Sequence, residues 1–322
     1  MAAGRETGKL EPIAVFGAGA VGCWFGGMLA RAGAPVTLIG RTAHVDAIAA
    51  SGLRLVSARI DERVRVVASS GASAARGARL VLVAVKTFDT RAAGEALAPH
   101  LGEDSVLVSL QNGAENAARL KAATGREAFP AVVWVAASMS APGEVTHAGR
   151  GDLVIGDPGL LAPGAASRRR TLGEIAALFE SAGVPCAVSD GIDREIWAKL
   201  AANCAFNPVS ALARAQYGRI GAAPGGRRLL GEIVEEVLSV AAAHGVAMGE
   251  RDVVGEVLAL TESMSGATSS TAQDIARGRR TEIDDLNGFV ARRGEALGVA
   301  TPVNRALHAL VKLLEEAEAT RD

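Results

Sequence analysis

Aromatic residues make up only 3% of the chain, cysteine occurs three times, and there is no long run of one charge or of apolar residues. Each scarcity narrows the range of functions. So few aromatics disfavour a surface that stacks nucleic-acid bases. A net charge of −1, with both signs interspersed, argues against nucleic acid as the main partner and against a membrane surface. No apolar stretch reaches spanning length without Gly, Pro or a charge, so no transmembrane helix is expected. Cys23, Cys186 and Cys204 are odd in number, far apart and set among apolar residues. They read as free thiols in a reducing compartment. No Cys/His cluster offers a metal site, and no Ser/His/Asp or Cys/His pattern supports nucleophilic catalysis. Residues 1–11 form a polar extension of mixed charge, without the apolar core of a signal peptide. Together these features predict a cytoplasmic protein that acts on a small molecule.

Apolar sequence is abundant: 49% of 322 residues, enough for one large domain or two medium ones. Pro12–Phe16 reads as a buried strand. It ends in Gly17-Ala-Gly19-Ala20-Val21-Gly22, which opens an apolar helix running to Arg31 and stopped by Gly33. Pro35–Ile39 reads as the next strand. The result is a βαβ unit with GxGxxG at its first turn, where the backbone can approach a pyrophosphate and a helix N-terminus favours negative charge. A glycine-rich turn alone is weak evidence; its position between strand and helix makes it a dinucleotide site. The second strand ends Ile39-Gly40-Arg41, with no acid for a ribose diol. A guanidinium there suits a 2′-phosphate, so NADPH is expected over NADH, although Arg41 also fits a solvated surface position.

Further along, His44–Ala50 reads as a short helix, and Leu53–Leu55 with Val64–Val67 as a peripheral strand pair. Leu80–Val85 is a buried strand closed by Lys86-Thr87, and Val106–Leu110 another followed by Gln111-Asn112-Gly113. Lys86 and Asn112 thus stand at carboxyl ends of strands, where ligands bind in open α/β sheets. Strand-end solvation for Lys86 and an Asn-Gly turn for Asn112 are the competing readings. Asp89–Leu97 and Ser167–Ser181 read as helices. Val132–Ala136, Gly143–Thr146 and Asp152–Ile155 read as short antiparallel edge strands, with His147 structural between them, and Pro185–Val188 as a last strand.

After Ser189 the strand signals fade and helical periodicity takes over. The expected organisation is an α/β Rossmann domain over residues 12–189, with a doubly wound, mostly parallel sheet, and an all-α domain over 190–322. Expected helices are Arg194–Ala205 with a second part from Val209, then Arg227–His244, Glu250–Met264, Ser270–Arg277, Glu282–Leu297 and Pro302–Ala317. Pro208 is expected to end or kink the first of them. On that helix Lys199, Asn203 and Asn207 recur every four residues and share one face among apolar neighbours. One amine and two carboxamides in an apolar helix are costly unless used. Lysine suits carbonyl reduction: an ammonium stabilises charge growing on oxygen and then gives a proton. The alternative is a lysine snorkelling to the surface. Ser269-Ser270-Thr-Ala-Gln273-Asp274 and Thr281-Glu282-Ile-Asp284-Asp285 are two further polar stretches. The acids of the second also suit a plain helix start.

In order along the chain, Gly17-x-Gly19-x-x-Gly22, Arg41, Lys86, Leu110-Gln-Asn112-Gly113, Lys199-Leu-x-x-Asn203-Cys-x-x-Asn207-Pro208, Ser269-Ser270-x-x-Gln273-Asp274 and Thr281-Glu282-Ile-Asp284-x-x-Asn287-Gly288 resemble the ketopantoate reductase (2-dehydropantoate 2-reductase) family. The resemblance covers nearly the whole chain. It implies a Rossmann domain joined to a helical domain, an active site in the cleft between them, and NADPH-dependent reduction of 2-dehydropantoate to (R)-pantoate on the way to pantothenate and coenzyme A. Lys199 resembles the general acid and Glu282 a carboxylate that orients the substrate hydroxyl and the lysine. Asn112, Asn203, Asn207 and Ser270 resemble polar contacts to substrate or nicotinamide, Arg41 and Lys86 contacts to the NADP phosphates. The glycine turn, Asn112 and Glu282 complete the expected cofactor contacts. Family members would allow either a monomer or a homodimer. Where some members carry a further substrate-contact Asn, this chain has Ala267, which leaves room for another bulky 2-oxo acid. A β-hydroxyacid dehydrogenase relative is disfavoured by Asn207 and by the Ser-Ser-x-x-Gln-Asp stretch. A non-catalytic NADPH sensor is disfavoured because Lys199 and Glu282 are both present.

Overall fold

The structure, a computed structural model, describes residues 10–158 and 164–319. The chain divides into two compact units, one ending at Ile192 and one starting at Asp193. In the first, β1 (Ile13–Phe16), α1 (Ala20–Arg31), β2 (Val36–Ile39), α2 (Thr42–Ser51), β3 (Leu53–Val56), β4 (Asp61–Val64), β5 (Val67–Ser69) and β6 (Leu80–Val83) follow in order. Then come α3 (Thr90–Leu97), β7 (Val106–Ser109), α4 (Asn116–Thr124), β8 (Ala128–Ala141), β9 (Glu144–Gly156), α5 (Ala165–Ser181) and β10 (Cys186–Ser189). The strands form one sheet in the order β4-β3-β9-β8-β7-β6-β1-β2-β5, with β10 also paired to β9. From β5 to β8 every pairing is parallel; β8–β9 and β3–β4 are antiparallel.

Why these strands lie in the middle follows from their composition. Leu80, Val81, Leu82 and Val83 are all fully buried, as expected of a parallel strand covered on both faces. Alternation then sorts the side chains. Ile13, Val15, Leu80 and Leu82 join one apolar cluster, which takes in Trp24, Phe25 and Leu29 of α1 and Leu172, Ile175 and Phe179 of α5. Ala14, Val81 and Val83 join another, with Leu97 and Leu120. Leu10, assigned by the sequence to a polar extension, is buried in the first cluster; residues 1–9 lie outside the described residues.

Three expectations for this unit need correction. The strand expected over Val64–Val67 is cut in two: Val64 closes β4 against β3, whereas Val67 opens β5 against β2. The three short strands expected after residue 131 are two long ones, β8 and β9, with bulges at Trp134/Val135, Ala136/Ala137 and Met139/Ala141. They lie within the sheet order, not at its edge. Gly149, Arg150 and Gly151 look like strand breakers, but Arg150 (φ 52°) and Gly151 (φ 139°) form a bulge instead. His147 stacks on Trp24, centroids 4.1 Å apart, and burial pushes its pKa down against the opposing pull of the Arg150 backbone. Finally, α4 is a helix the sequence reading does not contain, because alanine rather than a large apolar stripe forms much of it.

In the second unit the described elements are all helical: α6 (Ile192–Ala213), α7 (Tyr217–Ala222), α8 (Gly226–Ala243), α9 (Val253–Ser263), α10 (Ser270–Ile275), α11 (Asn287–Leu297) and α12 (Pro302–Ala319). Among the described residues, no helix is long and apolar enough to cross a membrane.

Pro208 does not end α6; the helix runs through it to Ala213. Proline has no N–H to give to the carbonyl four residues earlier, that of Cys204. Asn287 Nδ2 donates to that carbonyl instead, at 3.0 Å, and also to Asn304 Oδ1 at 2.9 Å. Asn304 Nδ2 passes the chain on to Ile233 O and Glu236. A fully buried amide ladder thus takes the place of the missing bond. The helix expected from Glu282 begins five residues late: Ile283–Asp285 is a short 3-10 turn, Leu286 leaves helical geometry, and α11 starts at Asn287. α7 is a further helix absent from the sequence reading.

Candidate functional site

In the first unit the glycine turn is built by two different requirements. Gly17 has φ 118°, and a Cβ on it would stand 2.6 Å from the backbone of Ala84 and Val85 at the end of β6. A Cβ on Gly22 would overlap the Gly17 carbonyl. Both glycines are needed by the protein's own packing. Gly19 differs: its φ is −90°, and a Cβ there would meet nothing within 4 Å. No side chain caps α1 at Gly19, and its first turn carries no acid. Its first N–H groups, including those of Ala20 and Val21, are therefore set for an anionic partner.

The end of β2 is drawn onto this turn. Gly17 N and Ala18 N both donate to Ile39 O, at 2.8 and 3.0 Å. A Cβ on Gly40 would stand 2.5 Å from Ala18 Cβ. That close approach carries Arg41, exposed and next in sequence, to the rim of the glycine turn. Its side chain has no hydrogen-bond or ion-pair partner among the described residues. The turn, Arg41 and the half-buried Lys86 all stand at carboxyl ends of neighbouring strands, since β1 lies between β2 and β6.

Asn112 follows β7, next in line, and a buried polar network fixes its backbone. Thr87 Oγ1 donates to Asn112 O at 2.9 Å, and Asn116 Nδ2 donates to the same oxygen at 2.6 Å. Thr90 Oγ1 donates to Asn116 Oδ1, Gln111 Nε2 to Thr90 Oγ1 and Val85 O, and Ser109 Oγ to Gln111 Oε1. Thr87, Thr90, Ser109, Gln111 and Asn116 are all buried, while Asn112 stays half-buried. Gly113, at φ 96°, makes the turn that follows. A satisfied buried network of this kind is rigid. Sequence reading quoted Thr87 and Gln111 without giving them a role and passed over the other three; only the pairing of β6 with β7 brings them together.

In the second unit, Lys199 and Asn203 are half-buried and Asn207 is buried, while Trp197, Ala198, Leu200, Ala201, Ala202, Cys204, Ala205 and Phe206 between and beside them are buried. One polar stripe thus runs along an otherwise buried stretch of the helix. The adjoining Ser-Ser pair splits its tasks. Ser269 is buried, caps α10 through Ala272 N at 3.1 Å and donates to Asn207 O at 3.1 Å. Its N–H donates to Ser210 Oγ. Ser270, the candidate contact, is the exposed first residue of α10, whereas Asp274 is buried. Ser269, which the sequence reading left without a role, therefore ties the start of α10 to the Asn207 turn. Ala267 is half-buried, and its carbonyl accepts from Tyr217 N at 3.0 Å.

Glu282 is buried at 6% exposure and opens the 3-10 turn, with Asp285 N donating to its carbonyl at 2.9 Å. No group of three His, Cys, Asp or Glu side chains among the described residues could hold a metal. All three cysteines are buried and reduced. Burial pushes the thiols of Cys23 and Cys186 up to about 12, which keeps them protonated and inert.

The architecture is a Rossmann-type sheet unit followed by an all-α unit. Comparison places it more narrowly. Residues 13–159 match the family model described as ketopantoate reductase PanE/ApbA, and residues 191–315 match its C-terminal counterpart. A structure described as a PanE/ApbA family ketopantoate reductase from Ralstonia eutropha JMP134 is 47% identical, covers 95% of this chain and 99% of its own, and superposes with a TM-score of 0.87. A 2-dehydropantoate 2-reductase structure from Geobacter metallireducens GS-15 is 32% identical over 94% and 99% of the two chains, TM-score 0.86. The 2-dehydropantoate 2-reductase of Halobacterium salinarum is 34% identical over 94% of this chain and 98% of its own. The chain belongs to the ketopantoate reductase family.

Proposed function

We propose that this protein reduces 2-dehydropantoate to (R)-pantoate with NADPH, with Lys199 as the general acid. The observation that carries the reading is the stripe of Lys199, Asn203 and Asn207 on a helix whose other residues from Trp197 to Phe206 are buried. The names of the relatives support the substrate. The first unit fits a dinucleotide: Gly19 leaves open space at an uncapped helix N-terminus, and Arg41 and Lys86 bring positive charge to the same end of the sheet. Bound NADPH would supply the hydride. Gly17, Gly19, Ala20, Val21 and Gly22 would hold its pyrophosphate, Arg41 and Lys86 its phosphates, and Asn112 and Glu282 would supply the remaining polar contacts.

Lys199 donates a hydrogen bond to the 2-oxo oxygen, stabilises the negative charge that grows there and hands it a proton. Asn203 and Asn207 orient Lys199 and the substrate oxygens, and Ser270 and Glu282 hold the rest of the acid. This division makes residues 12–189 the NADP-binding domain and 190–322 the substrate domain. A second reading keeps the mechanism and changes the acid: Ala267 offers less polar contact than an Asn would, which suits another bulky 2-oxo acid. The test is NADPH oxidation with 2-dehydropantoate beside branched and aromatic 2-oxo acids. Preference for 2-dehydropantoate supports the first reading; preference for another acid supports the second.

Two cofactor predictions follow from the turn. Gly19→Ala leaves thermal stability unchanged, because the added methyl meets no protein atom, but raises the Kd for NADPH. Gly17→Ala instead costs about 1–3 kcal/mol of stability, through its positive φ. Equal effects on folding and binding in the two variants would contradict this split. Arg41→Asp cuts the preference for NADPH over NADH by about 10- to 150-fold, the equivalent of one charge-assisted hydrogen bond at about 1.5–3 kcal/mol. Unchanged kcat/KM ratios for the two cofactors would show that another residue reads the 2′-phosphate.

A further inference from the structure

The segment that carries Glu282 is gripped on both sides of that residue by one face of α12. On one side, Glu315 Oε1 accepts from Thr281 N at 2.7 Å and from Thr281 Oγ1 at 2.6 Å. On the other, Asp284 accepts from His308 Nε2 at 2.7 Å and from Lys312 Nζ at 3.2 Å. Lys312 closes the ring by donating to Glu315 Oε2 at 2.7 Å. His308, Lys312 and Glu315 stand four and three residues apart, so they share one helix face. Inside the ring the Thr281 hydroxyl, while donating to Glu315, accepts from Ile283 N at 3.2 Å. Arg292 donates to Asp284 O at 2.8 Å, and Arg280 lies 3.5 Å from the Asp284 carboxylate.

This is more machinery than a chain reversal needs. The Glu315 side chain is only 13% exposed, so its charge is largely desolvated. Such a group contributes little to stability over an apolar isostere, but its hydrogen bonds are directional. Here both bonds to Thr281 converge on one oxygen and fix Thr281, the residue before Glu282, by its N–H and its side chain. Burial pushes Asp284 up, yet the bonds from His308 and Lys312 outweigh it and hold the carboxyl below its usual range. Asp284 is thus the anion that its two partners on α12 require.

We propose that Thr281 and Glu315 are positioning residues that aim the Glu282 carboxylate at the 2-oxo acid, with Lys312 and Asp284 locking the ring. The proposal rests on the assignment of Glu282 as a substrate contact. A misplacement of about 1 Å in such a group can cost about 10²-fold in rate.

The experiment is a double-mutant cycle on the full-length enzyme, assayed with 2-dehydropantoate and NADPH and paired with thermal melting. Thr281→Val keeps the shape and removes the hydroxyl. It is expected to lower kcat/KM for the 2-oxo acid by about 10- to 100-fold. Thr281→Ser restores the rate. In a Glu282→Gln background the same Thr281→Val change has no further effect, because no carboxylate remains to aim. Glu315→Gln keeps an acceptor for Thr281 but turns a carboxamide NH2 toward Lys312, so it is expected to lose less kcat/KM than Glu315→Ala, which behaves like Thr281→Val; equal losses in the two Glu315 variants overturn the proposal if Thr281→Val fails to fold. The proposal is overturned if Thr281→Val and Glu282→Gln losses multiply, or if the ring variants lower the melting temperature with kcat and KM unchanged. If Glu282→Gln itself turns over like the wild type, the assignment of Glu282 falls and takes the proposal with it. If Glu282→Gln is impaired while the ring variants are not, only the positioning role falls.

Discussion

Lys199→Ala lowers kcat by about 10²- to 10⁴-fold, the range for loss of a positioned general acid, while the Kd for NADPH stays at its wild-type value. The split is the informative part. Lys199 lies in the helical unit, and its expected partner is the oxygen that gains charge during reduction. An interaction made only in the transition state shows in kcat and kcat/KM together. Lys199→Arg keeps the charge but gives up its proton far less readily, so it is expected to rescue little of the rate. Steady-state kinetics with 2-dehydropantoate, paired with NADPH titration of the free enzyme, reads both quantities. Turnover within a few fold of wild type would remove Lys199 from the mechanism and return it to the role of a half-buried helix lysine.

Asn287→Ala destabilises the helical unit by about 2–6 kcal/mol, through two buried acceptors left without donors at about 1–3 kcal/mol each. The two are Cys204 O and Asn304 Oδ1. Pro208 makes the first loss severe, because no N–H stands where α6 would ordinarily supply one. Pro208→Ala returns that N–H. In its background Asn287→Ala should therefore cost about 1 kcal/mol less than in the wild-type chain, the scale of coupling between groups in contact. Urea unfolding of the four members of the cycle measures it. Additive losses would mean that Asn287 works only through Asn304 and that the proline is incidental. The same cycle bears on activity, because this carbonyl follows Asn203 directly and sits one turn before Pro208. An unsatisfied carbonyl there would let α6 bend between Asn203 and Asn207.

How legible this protein is from its sequence depends on how far apart the interacting residues lie. The β1–α1–β2 unit is readable because its signals are local: an apolar run, glycines at fixed spacing, a helix, another apolar run. The common face of Lys199, Asn203 and Asn207 is readable for the same reason, since helical spacing alone places it. The long β8–β9 pair is not, because Gly149, Arg150 and Gly151 carry breaker signals that only a partner strand turns into a bulge. Nor is the passage of α6 through Pro208, where the compensating donor, Asn287, comes from another helix far along the chain. The network beneath Asn112 consists of Thr, Ser, Gln and Asn residues that are unremarkable one by one; strand pairing makes them a unit. Glu282 illustrates the remaining limit. Thr281-Glu282-Ile-Asp284-Asp285 reads as a helix start, yet α12 pins Thr281 and Asp284 and holds the segment in a short turn instead.

The central claim is hydride transfer to the 2-oxo carbon of 2-dehydropantoate, with NADPH as donor. Its most direct test is a mass measurement on the product formed with NADPH carrying deuterium at both C4 positions. The account predicts pantoate with a single deuterium at C2, formed in step with loss of the reduced-nicotinamide absorbance. Unlabelled product, or bound NADPH that is never consumed in the presence of 2-dehydropantoate, would contradict it.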